Sequence, residues 1–190
     1  EGMEKLNFGY SQSKWVSEQL VFDAQRKGLA IRVFRPSLIS PSLAGGGSNL
    51  DITIRLLAFM IKHGIGVSSR NQVSLTPVDA VAHNLVALAN MPETLNRTFH
   101  LTRDTYERLS DVTDILAQRL GRPFELFDIH VFVSEVIRRC TREDPLFPLL
   151  DFLIGSVDDL AAMEVKLYDN AGYRSARARS EIGRTDPSLG

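Results

Sequence analysis

The stretch Gly9-Tyr10-Ser11-Gln12-Ser13-Lys14-Trp15, continued by residues 16–36, decides the fold. Val16, Leu20 and Ala24 recur at every fourth position, and Gly28 follows Arg26 and Lys27 as a stop signal. That spacing predicts a helix over 13–27. Leu29-Ala30-Ile31-Arg32-Val33-Phe34 is then a short apolar run closed by Arg35-Pro36-Ser37, the pattern of a buried parallel strand leading into a loop. In parallel sheets ligands bind beyond the carboxyl ends of the strands. Pro36, Ser37, Leu38 and Ile39 are therefore placed where a cofactor or substrate would lie.

Tyr10 and Lys14 stand four residues apart at the start of this helix, which puts both side chains on one face. A free phenol, with a pKa of about 10, exchanges its proton reluctantly at neutral pH. A nearby ammonium favours the phenolate and brings the group toward the working range. Tyr10 is thus the candidate acid or base, and Lys14 its tuner.

Alternating elements continue beyond residue 36. Ser48-Asn49-Leu50-Asp51 has the form of a capping box, and Ile54, Leu57, Ala58 and Ile61 give a helical apolar stripe that ends at Gly64. A short strand is expected at Val73-Ser74-Leu75, a helix over 79–90, and another strand at Thr98-Phe99-His100-Leu101. Residues 105–170 change character: a helix over 110–120, a strand near 124–127, a helix holding Val133, Val136 and Ile137, and a Pro-bounded apolar run over 145–154. From Ala171 the chain is polar, with Arg174, Arg177, Arg179 and Arg184, and it reads as a solvated tail.

The chain has 190 residues, 44% of them hydrophobic, and a net charge of -1, enough apolar content for a core and too little positive charge for a nucleic-acid surface. No apolar run is long enough to span a membrane and no signal peptide is visible, which points to a cytoplasmic protein. Cys140 is the sole cysteine, His100 and His130 lack Cys or carboxylate partners at ligand spacing, and His83 on an apolar helix reads as a packed or surface histidine, so no metal site is implied. His63 is expected to meet the terminal carbonyls of its helix. Asp79, an acid in the first turn of a helix, is read as structural.

The Tyr-x-x-x-Lys helix, the Arg35-Pro36 step that ends the next strand, and Pro77-Val78-Asp79 before an apolar helix together resemble the extended short-chain dehydrogenase/reductases. Within that group, Tyr10-Ser11-Gln12-Ser13-Lys14-Trp15 with Glu18 one turn on, and Asp144-Pro145-Leu146-Phe147-Pro148-Leu149-Leu150, are similar to the thioester reductase domains of nonribosomal peptide and polyketide synthetases and carboxylic acid reductases. The resemblance implies an α/β fold: the C-terminal part of a Rossmann-type domain over 1–104 with a substrate-side helix near 50–63, then a small, mostly helical substrate-binding subdomain over 105–170, then the tail over 171–190. It implies NADPH as cofactor, an acyl or peptidyl carrier protein and upstream synthetase modules as partners, and release of the bound chain as an aldehyde or alcohol. Tyr10 and Lys14 would be catalytic and, with Pro36, Ser37, Leu38 and Ile39, would hold the nicotinamide end.

Members of this group open with a Gly-rich pyrophosphate cradle and carry a Ser or Thr upstream of the Tyr. Here the glycine cluster Gly45-Gly46-Gly47 follows a Pro- and Ser-rich stretch, not a strand. The chain accordingly reads as the C-terminal part of a longer protein, inactive by itself. Two other readings share its residues: a reductase or epimerase acting on a small ketone or a sugar nucleotide, and a non-catalytic module that binds a carrier-borne chain.

Overall fold

The computed structural model describes residues 2, 3, 6, 9–45, 51–69, 71–162 and 167–180. Helix α1 (Gly9–Arg26) leads to strand β1 (Val33–Pro36) and directly on to β2 (Leu38–Ser40). Helix α2 (Ile52–His63), strands β3 (Ile65–Val67), β4 (Gln72–Val73) and β5 (Leu75–Pro77), and helix α3 (Val78–Ala89) follow. Strands β6 (Thr98–Leu101) and β7 (Glu107–Arg108), helix α4 (Leu109–Leu120), strand β8 (Glu125–Phe127) and helices α5 (Ile129–Arg139), α6 (Leu150–Gly155), α7 (Val157–Ala162) and α8 (Ala171–Arg179) complete the order. Three ladders are parallel: β1 with β6, β2 with β5, and β3 with β8. β4 pairs antiparallel with β7. Parallel pairing of strands so far apart in sequence requires long crossovers, and helices supply them. The α/β class expected from the sequence is borne out.

The ladder of β1 starts later than the apolar run does. The Ile31 N–H donates to Asn96 Oδ1 at 3.1 Å and its carbonyl accepts from the Asn96 N–H at 2.8 Å. Asn96, at φ 58°, turns the chain into β6, so strand pairing begins with Val33 opposite Thr98. Leu29 lies exposed.

Two apolar clusters organise the rest. One gathers Val81 and Leu88 of α3, Phe99 and Leu101 of β6, and Tyr173 and Ala176 of α8, with Phe34 of β1 against them. Where the sequence suggests a solvated tail from residue 171, residues 171–179 instead form α8 and dock. Tyr173 is fully buried, its hydroxyl accepts from Asn84 Nδ2 at 2.9 Å, and Arg177 reaches Asp104 at 2.7 Å. One aromatic ring at the right position outweighs the polar composition around it, because a buried Tyr removes a large apolar area from water. The second cluster joins Phe59 and Met60 of α2 to Ile65 and Val67 of β3, Phe132, Val133 and Val136 of α5, Leu146, and Leu153 of α6. Helix α2 is therefore held by the later half of the chain. Ile137, expected on the apolar side of α5, faces solvent.

Helix ends follow local chemistry. Asp51 caps α2 by accepting from the Ile54 N–H, and Gly64 at φ 65° closes it in the left-handed conformation that glycine adopts cheaply. Ser48 of the expected capping box lies outside the described residues. α4 starts at Leu109 without a side-chain cap.

Gly66 of β3 is required by close approach. A Cβ there would lie 2.3 Å from Thr113 Cγ2 and 2.9 Å from its Oγ1, and Thr113 is a buried, β-branched residue of α4. Gly66→Ala should destabilise the chain by about 2 kcal/mol through overpacking, and Thr113→Ala should recover most of that loss. Denaturant midpoints of the single and double variants check both.

Candidate active site

Helix α1 starts at Gly9, four residues before the sequence-based expectation, so Tyr10 and Lys14 occupy its first two turns. The hydroxyls of Ser13 and Ser17 donate back to the Tyr10 and Ser13 carbonyls, and Gln12 Nε2 donates to the Leu6 carbonyl. Tyr10 is 65% exposed, and the Lys14 ammonium lies 5.5 Å from the centroid of its ring. The structure thus brings the pair together on one face. Helix α1 buries none of its residues: Val16 and Leu20 of the expected apolar stripe are exposed, while Trp15, Glu18 and Phe22 are half-buried. The reason is the contact with β1. Arg35 of that strand forms a bidentate pair with Glu18, Nε to Oε1 at 2.7 Å and Nη2 to Oε2 at 2.6 Å, so this face, not the aliphatic one, turns toward the sheet.

Tyr10 lies eight residues before Glu18, two helical turns away, on the side of the first turn. The Glu18–Arg35 pair sets the middle of α1 against the carboxyl end of β1, where Arg35 is the last residue but one. Pro36, Ser37, Leu38 and Ile39 occupy this end. Ser37 turns its hydroxyl inward to Ser74 and Thr76, at 3.0 Å each, whereas Leu38 and Ile39 stay exposed in β2. Arg35, Pro36, Ser37, His100, Thr102 and Tyr168 line a cleft of about 260 Å³ there. Thr102 is buried, and among the described residues its Oγ1 has no hydrogen-bond partner. Sequence reasoning missed His100, Thr102 and Tyr168, since they enter from residues 98–102 and 167–170 and share no spacing with the Tyr–Lys pair.

Asp79 accepts from Ser42 Oγ at 2.9 Å and from the Leu43 N–H at 3.1 Å, and these bonds, with that from Ser42 foremost, hold its carboxyl below the ordinary range. It ties the segment after β2 to the start of α3. Gly46 and Gly47 of the glycine cluster lie outside the described residues.

Asp144, first residue of the Asp144–Leu150 run, is fully buried beneath α2. Burial alone would raise its pKa. Hydrogen bonds from the Lys62 ammonium at 2.6 Å, from the Thr141 N–H and hydroxyl at 2.8 and 2.9 Å, and from His63 Nε2 at 3.4 Å hold it far below the usual carboxylate range. His63 therefore serves a carboxylate, and not the helix carbonyls expected for it. A depressed folded-state pKa stabilises the protein fully above the unfolded value of 3.8 and is lost as pH falls through the folded one. Asp144→Asn should lower the denaturant midpoint more at pH 7 than at about pH 3, where protonation in the unfolded chain has begun to cancel the advantage.

Among the described residues no group of three His, Cys, Asp or Glu side chains could hold a metal ion, and no helix is long and apolar enough to cross a membrane.

Residues 1–85 match the NAD-binding family described as Male sterility protein. The chain is 39% identical over 114 residues to the nonribosomal peptide synthetase asaC of Aspergillus flavus, covering 59% of this chain and 11% of that protein. It is 27% identical over 191 residues to the L-2-aminoadipate reductase large subunit of Candida glabrata, covering 97% of this chain and 14% of that protein. The crystal structure of the terminal R domain from the myxalamid PKS-NRPS biosynthetic pathway superposes with a TM-score of 0.86 at 26% identity, covering 100% of this chain and 48% of that one. The resemblance to extended short-chain reductases, in the branch found in peptide synthetases and aminoadipate reductases, is thereby borne out. The chain spans about a tenth of the length of these curated relatives and about half of the solved domain.

Proposed function

We propose that this chain is the catalytic-helix and substrate-side portion of a thioester reductase, which uses NADPH to release an acyl or peptidyl chain from the phosphopantetheine arm of a carrier protein. The product is an aldehyde or, after a second reduction, an alcohol. The observation that carries the reading is the Lys14 ammonium set over the Tyr10 ring on the open first turn of α1. The residues present fit the nicotinamide end of the cofactor: Lys14 is an ammonium for ribose hydroxyls, and the Thr102 hydroxyl, without a partner among the described residues, lines the cleft beside Ser37. NADPH, when bound, supplies the hydride. Tyr10 donates a hydrogen bond, then a proton, to the oxygen on which charge builds; the hemithioacetal so formed breaks its C–S bond, its hydroxyl proton leaving with the phosphopantetheine thiol as the aldehyde carbonyl forms. Lys14 stabilises the phenolate left behind and orients the ribose. Pro36 and the exposed Leu38 and Ile39 give the site an apolar wall that excludes water, and Ser37 fixes the turn through Ser74 and Thr76. A cytoplasmic synthetase supplies the carrier.

The test is turnover of the complete protein with NADPH and an acyl thioester on a phosphopantetheinylated carrier, followed by nicotinamide absorbance and by the aldehyde formed. Turnover of a small ketone or sugar nucleotide with none of the thioester would overturn the reading.

A further inference from the structure

Lys14 and Glu18 stand four residues apart on α1, a spacing at which an ammonium and a carboxylate can pair along a helix. They do not pair. Both Glu18 oxygens go to Arg35, whose planar fork matches a carboxylate as a lysine could not. The remaining Arg35 nitrogen, Nη1, lies 3.1 Å from His100 Nε2, and His100 Nδ1 lies 3.1 Å from the Asp169 carbonyl. A carbonyl only accepts, so Nδ1 carries the proton and Nε2 accepts from Arg35. The guanidinium is thus fixed on two sides. Lys14, among the described residues, meets no carboxylate and faces the Tyr10 ring.

We infer that Arg35 is a positioning residue for proton transfer: by holding Glu18 it keeps the Lys14 charge uncompensated and turned to Tyr10. This rests on the Tyr10–Lys14 reading above. The carboxylate would otherwise fold back one turn and neutralise the ammonium that favours the phenolate.

The experiment compares Arg35→Gln, Glu18→Gln and the double variant in the complete protein. One readout is the pH–rate profile with NADPH and a carrier-bound acyl thioester. The other, without substrate, is the ultraviolet ionisation of Tyr10, taken as the difference from Tyr10→Phe. Arg35→Gln frees Glu18 to capture Lys14. It should lower kcat severalfold and move both the alkaline limb of the profile and the Tyr10 ionisation up by about half a pH unit. The double variant has no carboxylate to capture Lys14, so both readouts should return to the parent position. A clamp that merely holds the helix in place predicts a double variant no better than the single one, and that result would overturn the inference. Unmoved readouts in a folded Arg35→Gln protein would do the same. If Arg35→Gln fails to fold, Glu18→Gln decides: it breaks the same clamp while leaving Lys14 free, so an upward shift contradicts the inference and an unchanged or lower position supports it. A Tyr10→Phe protein that keeps its turnover sinks the proton-transfer reading instead, whatever the Arg35 variants show.

Discussion

Replacing Tyr10 by Phe in the complete protein should lower kcat on an acyl-carrier thioester by a factor of about 10²–10⁴, the range attributed to a positioned acid or base. The substitution removes one hydroxyl from a side chain that is mostly exposed and makes no part of either apolar cluster, so folding should be unaffected. Circular dichroism and the denaturant midpoint should match those of the parent. KM for NADPH should change by less than about fivefold, because the ring and Lys14 both remain. Lys14→Ala should also disable turnover, but with a larger rise in KM, since the proposed role has this one residue serve both Tyr10 and the ribose. Steady-state kinetics on the two variants checks the contrast. If the Phe variant keeps most of its turnover, Tyr10 is not the proton donor and the assignment of α1 as the catalytic helix fails.

The sequence reveals this helix through spacing, and spacing conveys period more reliably than direction. Val16, Leu20 and Ala24 correctly announce a helix, yet the face they define is not the one against the sheet; the polar pair Glu18–Arg35 sets that. No periodicity rule detects a pair that joins a helix to the strand after it, because the partners lie 17 residues apart and neither is apolar. β6 was legible because four alternating residues sit between turn signals, whereas β2 is too short to show a pattern and the strand expected at Val73-Ser74-Leu75 divides at Ser74 into β4 and β5. The docking of α8 depends on Tyr173 and Ala176, with Arg177 buried beside them and paired with Asp104, contacts hidden among arginines. The proposed ligand edge is legible for a topological reason, since it follows from where a parallel strand ends. The side chains that complete it, His100, Thr102 and Tyr168, belong to segments that only the folded chain brings near.

Truncating Phe59 to Ala should cost about 3–5 kcal/mol, the range for a buried aromatic removed from a core. Phe59 is fully buried, and it carries α2 into the cluster built from α5, α6 and β3. Its ring also lies 4.2 Å, centroid to centroid, from His63, which reaches Asp144 at 3.4 Å. Loss of the ring therefore loosens both the apolar and the polar attachment of α2. The effect should be local, because the cluster around Phe99 and Tyr173 shares no residue with this one. Hydrogen exchange should quicken across α2, β3 and α5 while β1, β6 and α8 keep their protection. In the complete protein, kcat/KM for the carrier thioester should fall well before NADPH binding does, if α2 walls the substrate side of the cleft. Equal acceleration of exchange in both clusters would show instead that they unfold as one unit.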